Sequence, residues 1–310
     1  MTDSTITFRR ADRGIDMKNK SSVKWIEEKY FIPVTLAPAL IVLGLYTYYP
    51  TVYSFVLSFF KTRVFSRERF SGLDQYKSIF SDPVFWTGVK NTVLYSVGAI
   101  AGTLIIGLLI ALILNTPIKG RTFFRTTFFI PYVIPLAAHA LLWKWLLDPK
   151  FGLVNFILSI IGVDPIPWLT SRDWVLFSFI LIDIWKRAGF AMVLFIAGLQ
   201  TIPDEYYDAA VVDGANAWGK FRHITLPLLS PITVFVTIMS FLHTFQLFTE
   251  PYVMTKGGPS TSSVSVVYLI YQDGLRSMNI GRASAMAVFL FIVLSAVTIL
   301  FLRKFDAKEI

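Results

Sequence analysis

PDEYYDAAVVDGANAWGKFRHITLPLLSP, residues 203–231, is a polar elbow set between two long apolar runs. Pro203, Asp204 and Glu205 suit the first turn of a helix: proline surrenders no donor needed there, and carboxylates favour the positive end of the helix dipole. That helix is short, because Asp213-Gly214 is a turn pair able to place a left-handed residue just past its end. Asn216 can cap a second short helix through Trp218, Phe221 and Ile224, and Pro227 then permits the next long helix to begin.

The runs on either side decide the class. Of 310 residues, 55% are hydrophobic and 16% charged, and the mean hydropathy is +0.60. Several uncharged runs are far longer than a soluble core helix needs, so the expected fold is all-α, a polytopic membrane protein. Six transmembrane helices are read at 33–60, 91–114, 123–147, 174–199, 228–248 and 283–302, with Pro38 and Pro50 placed to kink the first. The apolar piece 151–162 is too short to cross the hydrocarbon and reads as an interfacial helix. Residues 1–30 form a polar N-terminal segment without a cleavable signal peptide, since the apolar region starts too late and runs too long. Within it, 21–30 reads either as a surface helix with Val23, Trp25 and Ile26 on its apolar side or as a frayed tail. Residues 31–310 form one transmembrane domain. Six spans put both termini on one side; with them inside, 15 Lys and Arg lie inside and 11 outside, a small bias in the direction of cytoplasmic termini.

Several chemistries are excluded. There is no cysteine, hence no disulfide or thiol catalysis, and His139, His223 and His243 are scattered singly, so neither a metal site nor a catalytic group is expected. The net charge of +9 comes from basic residues flanking apolar spans, as expected of anchors at anionic headgroups in the lipid bilayer rather than of a nucleic-acid surface. Gly214, Gly219 and Lys220 imitate a phosphate-binding loop, but Phe221 stands where a hydroxyl must ligate magnesium, and no buried strand enters Gly214.

Read as spacing, the elbow is Asp208-Ala209-Ala210, three residues, Gly214, nine residues, Ile224, one residue, Leu226-Pro227. This resembles the EAA loop of the membrane subunits of binding-protein-dependent ABC importers, matching six of seven fixed positions. The departure is Asp208 for glutamate, which keeps the charge and shortens the reach. The resemblance implies a type I importer permease core whose cytoplasmic loop, 203–231, forms coupling helices docked on a separate ATPase. Its docking residues would be Glu205, Asp208, Ala209, Ala210, Asp213, Gly214, Ala215, Phe221, Ile224, Leu226 and Pro227. It further implies no cofactor in this chain, with ATP and magnesium bound by two copies of the partner ATPase. A second homologous permease, a periplasmic or extracellular solute-binding protein and a bacterial inner-membrane location complete the picture. Paired alanines allow close backbone approach, and Tyr206, Tyr207, Trp218 and Phe221 can anchor an interface. Gly198-Leu199-Gln200, Gly257-Gly258-Pro259 with Thr261, and Gly281, Ala283 and Ala285 are similar to the sugar-importer branch, in particular to the first of the paired permeases of the maltose and glycerol-3-phosphate type.

The fourth span carries Asp183, Lys186 and Arg187, each costing roughly 2.5–3.5 kcal/mol at a helix centre. Asp183 and Arg187 can pair along one helix face, which leaves Lys186 over. By resemblance, Asp183, Lys186, Arg187 and Phe190 in this span and Ser240, His243, Thr244 and Leu247 in the next line the pathway of a sugar. Lys186, Arg187 and His243 projecting into one cavity would favour an acidic oligosaccharide; a neutral one stays open. Two rivals are an ion-gradient transporter using Asp183, which leaves the elbow spacing unexplained, and a membrane-embedded enzyme, for which the outer loops offer only the separated Asp148, Asp164 and Asp173.

Overall fold

The computed structural model describes residues 33, 35–62 and 69–306, and the chain clusters into two compact units, Met1–Tyr53 and Ser54–Ile310. The surface helix considered for 21–30 lies outside the described residues. The first unit's described part is helical: α1, Thr35–Leu57, begins there. Inside α1 a π-turn, Gly44–Tyr48, is closed by the Tyr49 N–H on the Gly44 carbonyl. Pro50 follows directly. Lacking an N–H, it cannot continue the α-ladder, and the turn before it widens to the five-residue repeat.

The second unit opens with a short antiparallel ladder, β1 (Phe60–Lys61) against β2 (Arg69–Phe70), then α2 (Asp74–Phe80). Helix α3 (Pro83–Asn115) starts well before the apolar run that predicted it, because Asp82 caps it by accepting from the Val84 N–H and Pro83 fits its first position. Next come α4 (Arg121–Val133), α5 (Leu136–Leu146), α6 (Leu153–Ile160) and α7 (Val175–Leu199). The expected single helix over 123–147 is corrected here: α4 and α5 meet at 99°. Ile134 is extended (φ −61°, ψ 129°), the conformation forced on a residue that precedes proline, and Pro135 completes the break.

The elbow gives α8 (Asp204–Val212) and α9 (Ala217–Leu228), followed by α10 (Ser230–Thr244) across a bend of 64°. A second correction concerns Pro227. It lies inside α9, after a π-turn, Phe221–Thr225, that the Leu226 N–H closes on the Phe221 carbonyl. This is the device of Pro50 repeated, and the next helix instead begins at Ser230 with Pro231 in its first turn. Helix α10 also ends at Thr244, short of 248. After it lie a π-turn (Pro251–Thr255), α11 (Val266–Tyr271) and α12 (Ile280–Asp306).

The most extensive helix pair is α3 with α7. Small residues let them close: a Cβ added at Gly102 would stand 2.1 Å from Ile184, and one at Gly107 2.7 Å from Ala191. At the elbow end, Ala111 and Leu114 pack with Phe195, Leu199, Leu229 and Val236; farther along α3, Tyr95 and Ala99 pack with Phe179, Ile182 and Leu247. A third cluster joins Ile79 and Phe85 to Tyr268, Met286 and Leu290. By length and composition, 3 described helices can cross a membrane, or up to 5 if each bent pair is one span. Helix α7 is also long enough, about 37 Å at 1.5 Å per residue, but carries its three charges.

Candidate functional site

Two regions of the second unit carry the sequence-predicted residues, and they differ in every physical respect.

The elbow is an exposed pair of short helices. Helix α8 ends in a Schellman motif: Gly214 takes φ +77°, the Ala215 N–H donates to Ala210 O (2.8 Å) and the Gly214 N–H to Val211 O (3.0 Å). Asn216 then caps α9 by accepting from the Gly219 N–H at 2.8 Å. Tyr207 ties the two helices through its hydroxyl to Thr225 Oγ1 (3.0 Å), and Tyr207 and Ile224 pack on the core cluster below. The opposite face has no such support. Tyr206, Val211, Val212, Trp218 and Leu226 are exposed, Val212 to 87%, and α8 contains no buried residue. Of the predicted docking positions, Glu205, Asp208, Ala209, Asp213, Gly214, Leu226 and Pro227 are exposed, whereas Ala210, Ala215, Phe221 and Ile224 are half-buried. Apolar area left in water on short, well-capped helices is the mark of a surface that a partner covers.

The second region is buried in α7. Asp183 and Arg187 pair at 2.7 Å, one turn apart, as the spacing anticipated. Lys186, 4% exposed, does not stand free in a cavity: its Nζ donates to the carbonyls of Pro131 (3.1 Å), Tyr132 (3.2 Å) and Ile134 (2.5 Å) at the broken end of α4. These are orphan acceptors of a helix C-terminus, which favours a cation. Charge-assisted bonds of about 1.5–3 kcal/mol each offset the cost of a lysine at this depth. Phe190 stacks on Tyr132 with centroids 4.6 Å apart, and beside them Gly189 meets α4 backbone to backbone.

From the other side, Ser240, Thr244 and Leu247 are buried and His243 is exposed. Leu247 packs in one cluster with Phe179 and Ile182 of α7. The sequence reading missed a member of this group. Glu250, buried to 6% exposure, lies within electrostatic range of Asp183, Arg187 and Lys186 but forms no ion pair with them. Glu250 was hidden because it follows the apolar run and looked like a loop residue. Among the described residues, no group of three or more His, Asp or Glu is arranged to hold a metal.

A helical membrane component with a capped, exposed elbow and a buried, hydrogen-bonded charge cluster fits the permease class of transporter subunit. The chain belongs to the family described as binding-protein-dependent transport system inner membrane component, whose model matches residues 103–309. It is thus a multi-pass permease component of an ABC importer. It is similar to the sulfoquinovosyl glycerol transport system permease protein of Agrobacterium fabrum, 36% identical over 290 residues covering 92% of this chain and 94% of that one. The trehalose/maltose transport system permease protein of Thermococcus litoralis is 34% identical, covering 93% and 98%. Among solved structures it resembles a bacterial ABC transporter involved in the import of the acidic polysaccharide alginate, with a TM-score of 0.78, 25% identity and coverage of 92% and 98%.

Proposed function

We propose that this chain forms, with a second homologous permease, the transmembrane pathway for a carbohydrate delivered by an external solute-binding protein. Six spans carry it: α1, α3, α4 with α5, α7, α10 and α12, with both termini and the elbow on the cytoplasmic side. ATP and magnesium belong to two copies of a separate ATPase that dock on the elbow through the positions from Glu205 to Pro227. ATP-driven closure of those copies draws the elbows together and alternates access; hydrolysis resets the pathway. Asp183, Arg187, Phe190, Ser240, His243, Thr244 and Leu247 line or frame the pathway, with Lys186 in its wall. The observation that carries the reading is the unsupported apolar face of α8 and α9, matched in spacing to a docking loop.

The carbohydrate class is supported by the transport systems of the relatives. Within it, Arg187 is occupied by Asp183 and Lys186 by backbone carbonyls, which favours an uncharged sugar at this depth, and the likeness to the alginate importer keeps an acidic one as the second reading. Uptake of matched neutral and uronic oligosaccharides separates the two.

The test of the docking surface is recovery of the tagged chain from native membranes beside a Val212→Asp variant. Because Val212 is 87% exposed, the variant should fold normally and lose the ATPase while keeping the second permease. A chain recovered alone, and competent for uptake from an imposed ion gradient without ATP, would overturn the reading in favour of a secondary transporter.

A further inference from the structure

Arg121 and Arg125 stand one turn apart at the start of α4, where positive charge is costly. Like charges four residues apart repel, and Arg121 lies at the positive end of the helix dipole. No acidic residue offsets them in the first turn, and Gly120 before it offers no side-chain cap. Neither arginine forms a salt bridge among the described residues. Arg121 Nη2 donates to Asn115 Oδ1 at 3.3 Å, but Arg121 Nε, Arg125 Nε and Arg125 Nη2 are buried with no acceptor among the described residues. Buried donors of this kind call for an acceptor from outside the chain.

Beside them is a groove of about 250 Å³, lined by Ile110, Ile113 and Leu114 of α3, by Ile118 of the link, and by Phe124 and Phe128 of α4. Every lining side chain is apolar, and the groove opens outward, with Ile113 62% and Phe124 43% exposed. Phe124 and Phe128 follow Arg121 and Arg125 by three positions, so the four share one side of α4. The bond to Asn115 holds the Arg121 guanidinium next to Leu114, at the end of the groove. Leu114 packs in turn with Leu199 and Leu229, so this is the elbow's end of the protein.

We infer that this is a binding site for an anionic phospholipid: Arg121 and Arg125 hold the phosphate through charge-assisted bonds, and an acyl chain lies in the α3–α4 groove. Free phosphate would use the arginines and leave the groove unfilled. A zwitterionic lipid would fill the groove but carries an ammonium that the arginine pair repels. Charge and shape together therefore select the anionic lipid. The inference rests on the importer reading only for the leaflet, which is then the cytoplasmic one.

The test is native mass spectrometry of the delipidated, intact importer complex. It is titrated with phosphatidylglycerol, with phosphatidylethanolamine of the same acyl chains, and with phosphatidylglycerol in the presence of inorganic phosphate. Phosphatidylglycerol should bind at least about tenfold more tightly than phosphatidylethanolamine, and Arg121→Gln with Arg125→Gln should abolish that preference. Inorganic phosphate at the same concentration should not displace the lipid. Ile113→Trp, placed on an exposed wall, should weaken phosphatidylglycerol at least about threefold by excluding a methylene or two from the groove. Equal binding of the two lipids, displacement by phosphate, a preference that survives the double variant, or unchanged affinity in Ile113→Trp would each overturn the site. So would loss of the second permease from the double variant, which would assign the arginines to a protein interface. If the double variant does not assemble at all, the native preference together with Ile113→Trp decides. A complex without an ATPase would break the importer reading and leave the lipid result standing, since every residue of the site is in this chain.

Discussion

The elbow and the charge cluster of α7 are opposite solutions to one problem, that of placing residues where the local environment does not favour them. In the elbow, Tyr206, Val211 and Val212 are apolar groups left largely in water. In α7, Asp183, Lys186 and Arg187 are charges away from water, and each has a partner inside the chain: the Asp183–Arg187 pair, and three carbonyls for Lys186. The contrast teaches how to tell a docking surface from a frame. A misplaced group without an internal partner points outward to another molecule, whereas one with internal partners holds the fold together, however functional its chemistry looks.

The largest break in that comparison should come from Gly214→Asp. Its φ of +77° strains any L side chain by about 1–2 kcal/mol, yet a Cβ there meets nothing within 4 Å, so the second unit should still fold. Uptake should fall at least about a hundredfold, the equivalent of about 2.7 kcal/mol of lost docking, with the ATPase missing from the purified complex. Gly214→Asn separates conformation from contact, since asparagine tolerates the left-handed region. Retained docking in that variant assigns the glycine to backbone geometry; lost docking assigns it to a partner approaching the bare backbone.

Asp183→Asn tests the other side. It leaves Arg187 buried without its counterion, and breaking a buried pair costs about 3–5 kcal/mol, which should show as a much lower thermal midpoint of the purified complex. Replacing both residues, Asp183→Leu with Arg187→Leu, should recover most of the loss. An unchanged midpoint in Asp183→Asn would mean that Glu250, also within electrostatic range, is the counterion that matters.

Most of the elbow was legible because its signals are local: Asp213-Gly214 and Asn216 each dictate the backbone within three residues of themselves, and the structure caps both helices there. The Asp183–Arg187 pair was legible for the same reason, one turn of one helix. What sequence could not supply was partnership at long range. Nothing near Lys186 announces that its three acceptors lie more than fifty positions earlier, and nothing near Glu250 announces that it faces α7. The breaks were intermediate. Pro135 and Pro227 were visible as prolines, but whether a proline ends a helix, bends it or is absorbed by a π-turn depends on what packs against the freed carbonyls.

The smallest effect, and the one that grades burial, belongs to Arg282 at the end of α3 remote from the elbow. Arg282 bonds Asp82 and lies 3.3 Å from Asp273, joining the first turns of α3 and α12 through side chains that are about a quarter exposed. Burial alone would push both carboxyls up. For Asp82 the Arg282 guanidinium and the Val84 N–H reverse this and hold it below the ordinary carboxylate range; for Asp273 burial prevails and the carboxyl is raised. The signs are therefore opposite. Asp82 contributes stability above the ordinary aspartate pKa of about 3.9, lost as pH falls through its lowered value, whereas the folded state loses stability as pH rises through the raised value of Asp273. Asp82→Asn keeps a good helix cap and removes the ion pair, so it should cost no more than about 1 kcal/mol at pH 7; Asp82→Ala removes the cap as well and should cost about 1 kcal/mol more. As pH falls below about 4, the midpoint of the native chain should drop more steeply than that of Asp82→Asn. If Asp82→Asn instead costs as much as Asp183→Asn, depth in the membrane is not what makes the α7 pair strong, and the division between frame and surface must be drawn by hydrogen-bond geometry instead.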